Sequence, residues 1–441
     1  MTTTMRCQML ACVRTVLCLP LAILALGLSD FSINRASAFM LNADGTIETP
    51  AALYASVSGG GLTKIVAPGS LAPGGGIVTE LGIPSLGPDG TLLFSAEVTL
   101  QGVSNWQIFR VRQPLQSHSI ELVISNSMTS RECRPMLKLD PEVSAGRDGT
   151  VAFIGSREDR KNALFVVSRG RLSCPASLGD RTDEGNILTN LASGTAQVAE
   201  NGAVIFRANV TGGVQHSTKE AILLARRGEP IVEVAVEGGR SADGSKYGAF
   251  FGSPAIISSP RESVIAFTNH TPRGVTLFMG SPGHLVSSLD SNPAGTSGAP
   301  TYISDARPAI SGDGSVAIQA ARQATWSVLL VRAGEAFVVA TEGDKLSTGE
   351  RLEGFEDLAR TADDGIAAEG VGESAVNRIY SFPKVGLTKG SIQTSVLSAD
   401  FESFPGGFAA SSTGAFAFLS RGKPPDFARV ANHFSGDDDS L

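Results

Sequence analysis

The 441 residues carry 36 Lys and Arg against 43 Asp and Glu, a formal charge of −7, with 50 Gly, 22 Pro and 6% aromatic residues. A mildly acidic surface excludes a groove that gathers nucleic-acid phosphates. The turn-rich composition, with no long stretch of helical period, excludes a helix bundle and favours many short strands joined by tight connections.

Arg6 and Arg14 precede an apolar run from Val16 to Leu28, and Ala36-Ser37-Ala38 supplies a small-x-small pattern. Residues 1–38 therefore read as an export signal cleaved after Ala38, because the run is short for a bilayer span. The expected product is periplasmic or secreted, has no membrane span after cleavage, and runs as a β-protein over 39–430 with an acidic tail over 431–441. Cys7, Cys12 and Cys18 leave with the signal. Cys133 and Cys174 remain, and an even pair in an exported chain is expected to form a disulfide.

Ala51-ALYASVSGGGLTKIV-Val66 is the first strand, glycine turn and strand. A different hairpin then recurs seven times, aligned on Gly90, Gly149, Gly202, Ser263, Gly314, Gly365 and Gly414, at spacings of 59, 53, 61, 51, 51 and 49 residues. Five of the corners are Asp-Gly or Asn-Gly, the strongest short-range hairpin signal, here read as a two-residue turn with both central residues at φ > 0. Two and four residues past the corner stand pairs such as Leu92/Phe94, Val151/Phe153, Val204/Phe206 and Ile265/Phe267. The residue between them is usually small (Ala152, Ala266, Ala317, Ala368, Ala417), so each strand has one bulky and one slim face and suits sheets packed face to face. A second half-repeat follows six of the hairpins, as in Trp106-QIFRV, Ala163-LFVVSRG and Ser327-VLLVRAG, but not the seventh. The N-terminal strands supply the missing half. The expected fold is all-β: a seven-bladed β-propeller of four-stranded antiparallel blades, its ring closed by the N-terminal strands pairing with the C-terminal hairpin.

The hairpins resemble those of the bacterial NxxGxxAF tandem-repeat proteins, exported proteins of mostly unassigned function: Gly149-TVAF-Phe153 and Gly414-AFAF-Phe418 match the last part of that repeat. The Asn three residues before the glycine is replaced throughout, by Gly87, Gly146, Ala199, Ser311, Ala362 and Ser411. Ser144-AGRDGTVAFIGSREDRKNALFVV-Val167 is also similar to the repeat of TolB-type periplasmic propellers. Both resemblances imply architecture and bring no catalytic residues.

Function is expected on the loops that leave the second strand of each unit, since these vary most on a constant scaffold. They offer Arg157, Asp159 and Arg160, then His216 and Lys219, His270 and Arg273, Arg322, Glu373, and Lys423 with Asp426 as candidate binding residues. His216 and His270 lie on the loops of neighbouring units and could converge; His118, His284 and His433 are scattered. No H-E-x-x-H or G-x-S-x-G motif occurs, so the sequence assigns no catalytic residue, metal or cofactor. Gly179-DRTDEG-Gly185 carries acids but lacks EF-hand spacing, and Gly343-DKLSTG-Gly349 is its counterpart. Glu369 is the anomaly, standing where other repeats place Phe or Ile. It is either a paired, buried carboxylate or a residue rotated away by a one-residue bulge after Gly365. Trp106 and Trp326 fall in strands and Phe427 is nearly alone among loop aromatics, which argues against a sugar-stacking surface. The expected function is a monomeric, non-enzymatic module binding a protein or cell-envelope component. The alternative is a propeller hydrolase or lyase acting on a sugar or lactone.

Overall fold

In the computed structural model, residues 51–420 are described apart from 57–62, 113–118, 127, 129, 131–132, 147–148, 213–216, 259–262, 293–298, 346–348, 350, 361–365, 373–376, 383–394, 398–407 and 411–415. The expected signal and acidic tail lie outside the described residues. Among the described residues there is no α-helix, and none long and apolar enough to cross a membrane. The fold is an all-β propeller of antiparallel sheets.

Six sheets follow one another along the chain, spanning 77–124, 136–177, 187–236, 255–290, 302–341 and 352–397. A terminal sheet joins the two ends of the described chain in the order Thr63–Val66, Ala52–Ser56, Phe416–Ser420, Phe408–Ala410. Its central pairing sets Leu53 against Leu419 and Tyr54 against Phe418. The ring of Tyr54 stacks on that of Phe418 at 6.0 Å, as Phe94 stacks on Phe109 at 5.4 Å and Phe153 on Phe165 at 5.3 Å within continuous sheets. A residue from the start of the chain thus fills the place that the third strand fills elsewhere.

The hairpin corners differ from the two-residue turn that Asp-Gly suggests. Only the glycine takes positive φ, +79° at Gly90, +80° at Gly202 and +82° at Gly314. Its N–H donates to the carbonyl three residues back, Gly90 to Gly87 and Gly314 to Ser311, while Gly87 N–H and Ser311 N–H donate to Thr91 and Ser315. This is a type I turn followed by a glycine bulge. The acid before the glycine accepts from the N–H two residues on, Asp89 from Thr91 at 3.1 Å and Asp313 from Ser315 at 3.0 Å, and Asn201 does the same for Ala203 at 3.1 Å. Asp or Asn is therefore selected for its side-chain acceptor as well as for the turn.

Packing between sheets follows the bulky and slim alternation. Val204 and Phe206 of the third sheet pack against Ala152 of the second, and Val316 and Ile318 of the fifth against Ala266 of the fourth. Each bulky pair faces the preceding sheet and each slim residue the next one. The sixth sheet is out of phase by one residue: Ala368 packs with Ala317 and Val328 of the preceding sheet, where the others place their bulky residues. The strand Ile366–Gly372 pairs without irregularity against Asn377–Phe382, and the register break lies on the neighbouring strand between Phe355 and Leu358.

The first strand of the sheets is broken. Ile77–Leu81 and Ser85–Leu86 pair in succession with one long second strand, as do Ile187–Leu191 with Gln197–Val198 and Tyr302–Ile303 with Ala309–Ile310. In the second sheet the same break is a register shift between Leu139 and Val143. Four connectors into these strands share one build: Gly69 N–H donates to Val78, Gly179 to Leu188, Gly238 to Tyr247 and Gly343 to Leu352, with a second positive-φ glycine six residues on.

Cys133 and Cys174 form a disulfide, Cα atoms 5.6 Å apart, which ties the entry to the second sheet to its outermost strand, Arg171–Ser177. The enclosed separation of 41 residues corresponds to about 4 kcal/mol in the chain-entropy account. Replacing both cysteines by serine is expected to lower unfolding stability by up to ~4 kcal/mol in denaturant titrations. Titration of the unfolded, unreduced protein should find neither thiol of this pair free.

Candidate functional site

The broken first strands surround a cavity of about 430 Å³ lined from all seven sheets, including Leu86, Val143, Val198, Ile256, Ile310, Leu358 and Ala409. Its wall mixes aliphatic side chains with polar ones, among them Ser85, Glu142, Gln197, Glu200 and Arg307. Two charged side chains from different sheets meet at Gly194 of the third: Arg307 Nη2 donates to the Gly194 carbonyl at 2.6 Å, and the Glu142 carboxylate lies over its α-carbon. A side chain at Gly194 would collide with that carboxylate, 2.1 Å from the place its Cβ would take.

At the end that carries the loops after the second strands, the break between the fourth and fifth sheets is furnished with rings. Phe250 is 69% exposed and has φ +62°, a conformation that a bulky side chain rarely adopts. Its backbone is held from beneath: Phe250 O accepts from His270 N–H, and the buried Asn269 accepts from Gly248 N–H at 2.7 Å and donates to Gly248 O at 3.2 Å. Next along, Phe251 is buried and its N–H donates to Glu220 Oε2 at 2.9 Å. Gly252 permits a close approach to the fifth sheet, since a Cβ there would lie 2.9 Å from the carbonyl oxygen of Asp305.

His270 Nε2 lies 2.9 and 3.1 Å from the two carboxylate oxygens of Asp305, bridging the sheets with both side chains about two-fifths exposed. The Phe250 ring meets the His270 ring edge-on at 6.0 Å. Tyr302, 39% exposed, meets Trp326 edge-on at 5.7 Å. Burial, and secondarily the charge of Asp305, pushes the Tyr302 phenol up, so it stays protonated at neutral pH.

Among the other candidates, Arg157 and Asp159 are engaged with each other through Nε at 3.2 Å and Nη2 at 2.9 Å, and Arg157 also donates to Ser177. The Arg157 hydrogen bonds hold the Asp159 carboxyl below the usual range. Arg160 takes φ +59° at the corner of that hairpin, exposed like Lys219, Arg273 and Arg322. Arg273 lines a second, polar cavity of about 400 Å³ with Arg240, Lys246, Asp243 and Asp290. His216, Glu373, Lys423 and Asp426 lie outside the described residues, so the expected meeting of His216 with His270 falls there too. Glu369 pairs through its backbone with Ile379, and its side chain is outside the described residues. The two aspartates of the Gly179 connector are spent on backbone: Asp180 accepts from Ser177 N–H at 2.8 Å and Asp183 from Glu233 N–H at 3.1 Å. No group of three metal-ligating side chains occurs among the described residues. Sequence reasoning missed Phe250, Tyr302 and Asp305, which lie in breaks of the first strands rather than in the loops after the second. The available signal was Gly248-AFFG-Gly252, two aromatics between glycines outside the repeat.

Phe250 and Phe251 should separate strain from packing. Phe251→Ala is expected to cost ~3–5 kcal/mol in unfolding free energy, whereas Phe250→Gly should leave it unchanged or raise it by up to ~1 kcal/mol. For Asp243, burial pushes the carboxyl up, but hydrogen bonds from Ser241, Ser245 and Ser287 outweigh it and hold the group far below the usual range. Its folded value is depressed, so its contribution is present above the unfolded value of about 3.9 and lost as pH falls below it. Asp243→Asn should therefore flatten the loss of thermal stability measured between pH 4 and pH 2.

The chain is similar in structure to a puromycin-hydrolyzing peptidase of Mycobacterium tuberculosis, with 11% identity over 75% of this chain and 48% of that one and a TM-score of 0.46. It is similar to an acylaminoacyl peptidase of Pyrococcus horikoshii, with 10% identity over 79% and 52% and a TM-score of 0.45. The β-propeller domain of the Trilobed protease from Pyrococcus furiosus, described as having an open velcro topology, gives 9% identity over 71% and 95% and a TM-score of 0.34. The chain spans about half the length of the two peptidases. A search of curated proteins finds no match. At the level of sequence, residues 35–362 match the profile of a family of unknown function, DUF7453, and the chain belongs to that family.

Proposed function

We propose that the chain is a closed seven-bladed propeller acting as a non-enzymatic binding module, which recognises a protein or cell-envelope component at its loop-bearing end. Closure is supported by the pairing of Ala52–Ser56 with Phe416–Ser420 and by a cavity lined from all seven sheets. Export to the periplasm or beyond is part of the reading, supported by the Cys133–Cys174 disulfide, as is kinship with the NxxGxxAF and TolB-type repeats that the hairpins resemble.

The observation that carries the binding role is the outward Phe250. A large ring held exposed at positive φ, above a fully buried Asn269 that fixes its backbone, gives up local stability for presentation. Strain of this kind concentrates at ligand-holding positions. The alternative, a hydrolase or lyase acting on a sugar or lactone, would use His270 and Asp305 as its acid and base.

Immobilised protein is expected to retain a component of solubilised envelope from its source cells, and Phe250→Ala, with an unchanged thermal transition, should weaken that retention by ~10-fold or more. Equal retention by both forms would count against this end as the binding surface. Turnover of lactone or glycoside substrates that His270→Ala abolishes would favour the enzyme.

A further inference from the structure

We propose that the notch between the fourth and fifth sheets, bounded by Phe250, His270, Asp305 and Tyr302, binds a neutral pyranose ring. The inference rests on the binding role of this end and names the chemistry of its ligand.

The notch offers two kinds of surface side by side. Phe250 presents a ring that is 69% exposed, and Tyr302 a second that is 39% exposed and backed edge-on by Trp326. Beside the Phe250 ring stands the His270–Asp305 pair, with the imidazole 2.9 Å from the carboxylate and both side chains about two-fifths exposed. Nε2 of His270 faces the Asp305 carboxylate, a ring Nδ1 can take part in a hydrogen bond, and each carboxylate oxygen has a lone pair to spare. The phenol of Tyr302 can give or take a hydrogen bond. The matching ligand has an apolar face to lie on a ring and an edge of hydroxyl donors to meet the acceptors. A pyranose has both: axial C–H groups on its faces and hydroxyls around its rim.

A cationic ligand fits less well. The single negative charge of Asp305 is already shared with His270, and Arg322 ends the strand that pairs with Tyr302 through Ala321. The frame is also rigid, because Gly252 packs against the Asp305 backbone and Asn269 is fully buried, so binding orders little. A shallow, preformed site of this size fits millimolar affinity for one sugar and higher affinity for a repeated one.

The test is saturation-transfer NMR on the folded, disulfide-intact protein with the methyl pyranosides of glucose, galactose, mannose and N-acetylglucosamine at millimolar concentration. Transfer to the C–H face of at least one of them is expected, lowered about fivefold or more by Phe250→Ala and clearly reduced by His270→Ala. Lys161→Ala, an exposed change on the corresponding loop of the second sheet, should leave it intact. No transfer to any of the four, or transfer undiminished in Phe250→Ala, overturns the sugar assignment. Saturable binding of tetramethylammonium that depends on Phe250, without sugar transfer, overturns it in favour of a cation site. If sugars fail while Phe250→Ala still abolishes envelope retention, the ligand class is wrong and the binding role stands. If both fail, both are wrong.

Discussion

The structure depends on one constraint: in the first five sheets the second strand is buried on both faces. Phe153, Phe206 and Phe267 are fully buried, and so are the slim residues beside them, Ala152 and Ala266. In the second, fourth and fifth sheets a bulky face is matched by a slim one at Ala152, Ala266 and Ala317, whereas the first and third place Leu93 and Ile205 there and still bury them fully. Aromatic stacks from second to third strand, Phe94 on Phe109, Phe153 on Phe165 and Phe267 on Phe278, add cross-strand contacts within the first, second and fourth sheets. The sixth sheet shows how tightly phase is coupled to packing: there the small Ala368 occupies the bulky face, and the register of the adjoining first strand breaks between Phe355 and Leu358.

With the middle of each sheet committed to packing, freedom is left to the two ends of the strands and to the first strand. The hairpin corners spend theirs on a repeated hydrogen-bonded turn, and four connectors repeat another. The breaks in the first strands are where the sheets differ most. They supply the lining of the larger cavity, the contact of Arg307 with Gly194, and the exposed group around His270.

Much of the fold was legible because its causes are periodic. Alternation past Gly90, Gly149 and Gly202 indicated which residues face which sheet, and the half-repeat at 51–66 indicated that the chain ends share a sheet. The turn type was not legible, because Asp-Gly suits both a two-residue turn and a glycine bulge, and the side-chain bonds of Asp89 and Asp313 decide between them. The candidate site was read only in part. His270 was marked by its place on a loop, but Asp305 comes from the next sheet, and no local pattern in the chain announces that approach. Phe250 was hidden beside Phe251: two adjacent aromatics look alike in sequence, and only the positive φ of the first sends one out while the other stays in.

The terminal sheet has a consequence for how the molecule comes into being. Ala52–Ser56 leaves the ribosome before every other described strand, yet its partner Phe416–Ser420 is the last of them to be made, 364 positions later. At about 5–20 residues per second, the early strand waits on the order of 20–70 s with its edge unsatisfied. During that interval the growing chain is an incomplete stack whose Tyr54 has no Phe418 to cover it. The pairing of these two strands is thus a late event, and a chain stalled short of Phe416–Ser420 is left with an open edge for chaperones or proteases to find.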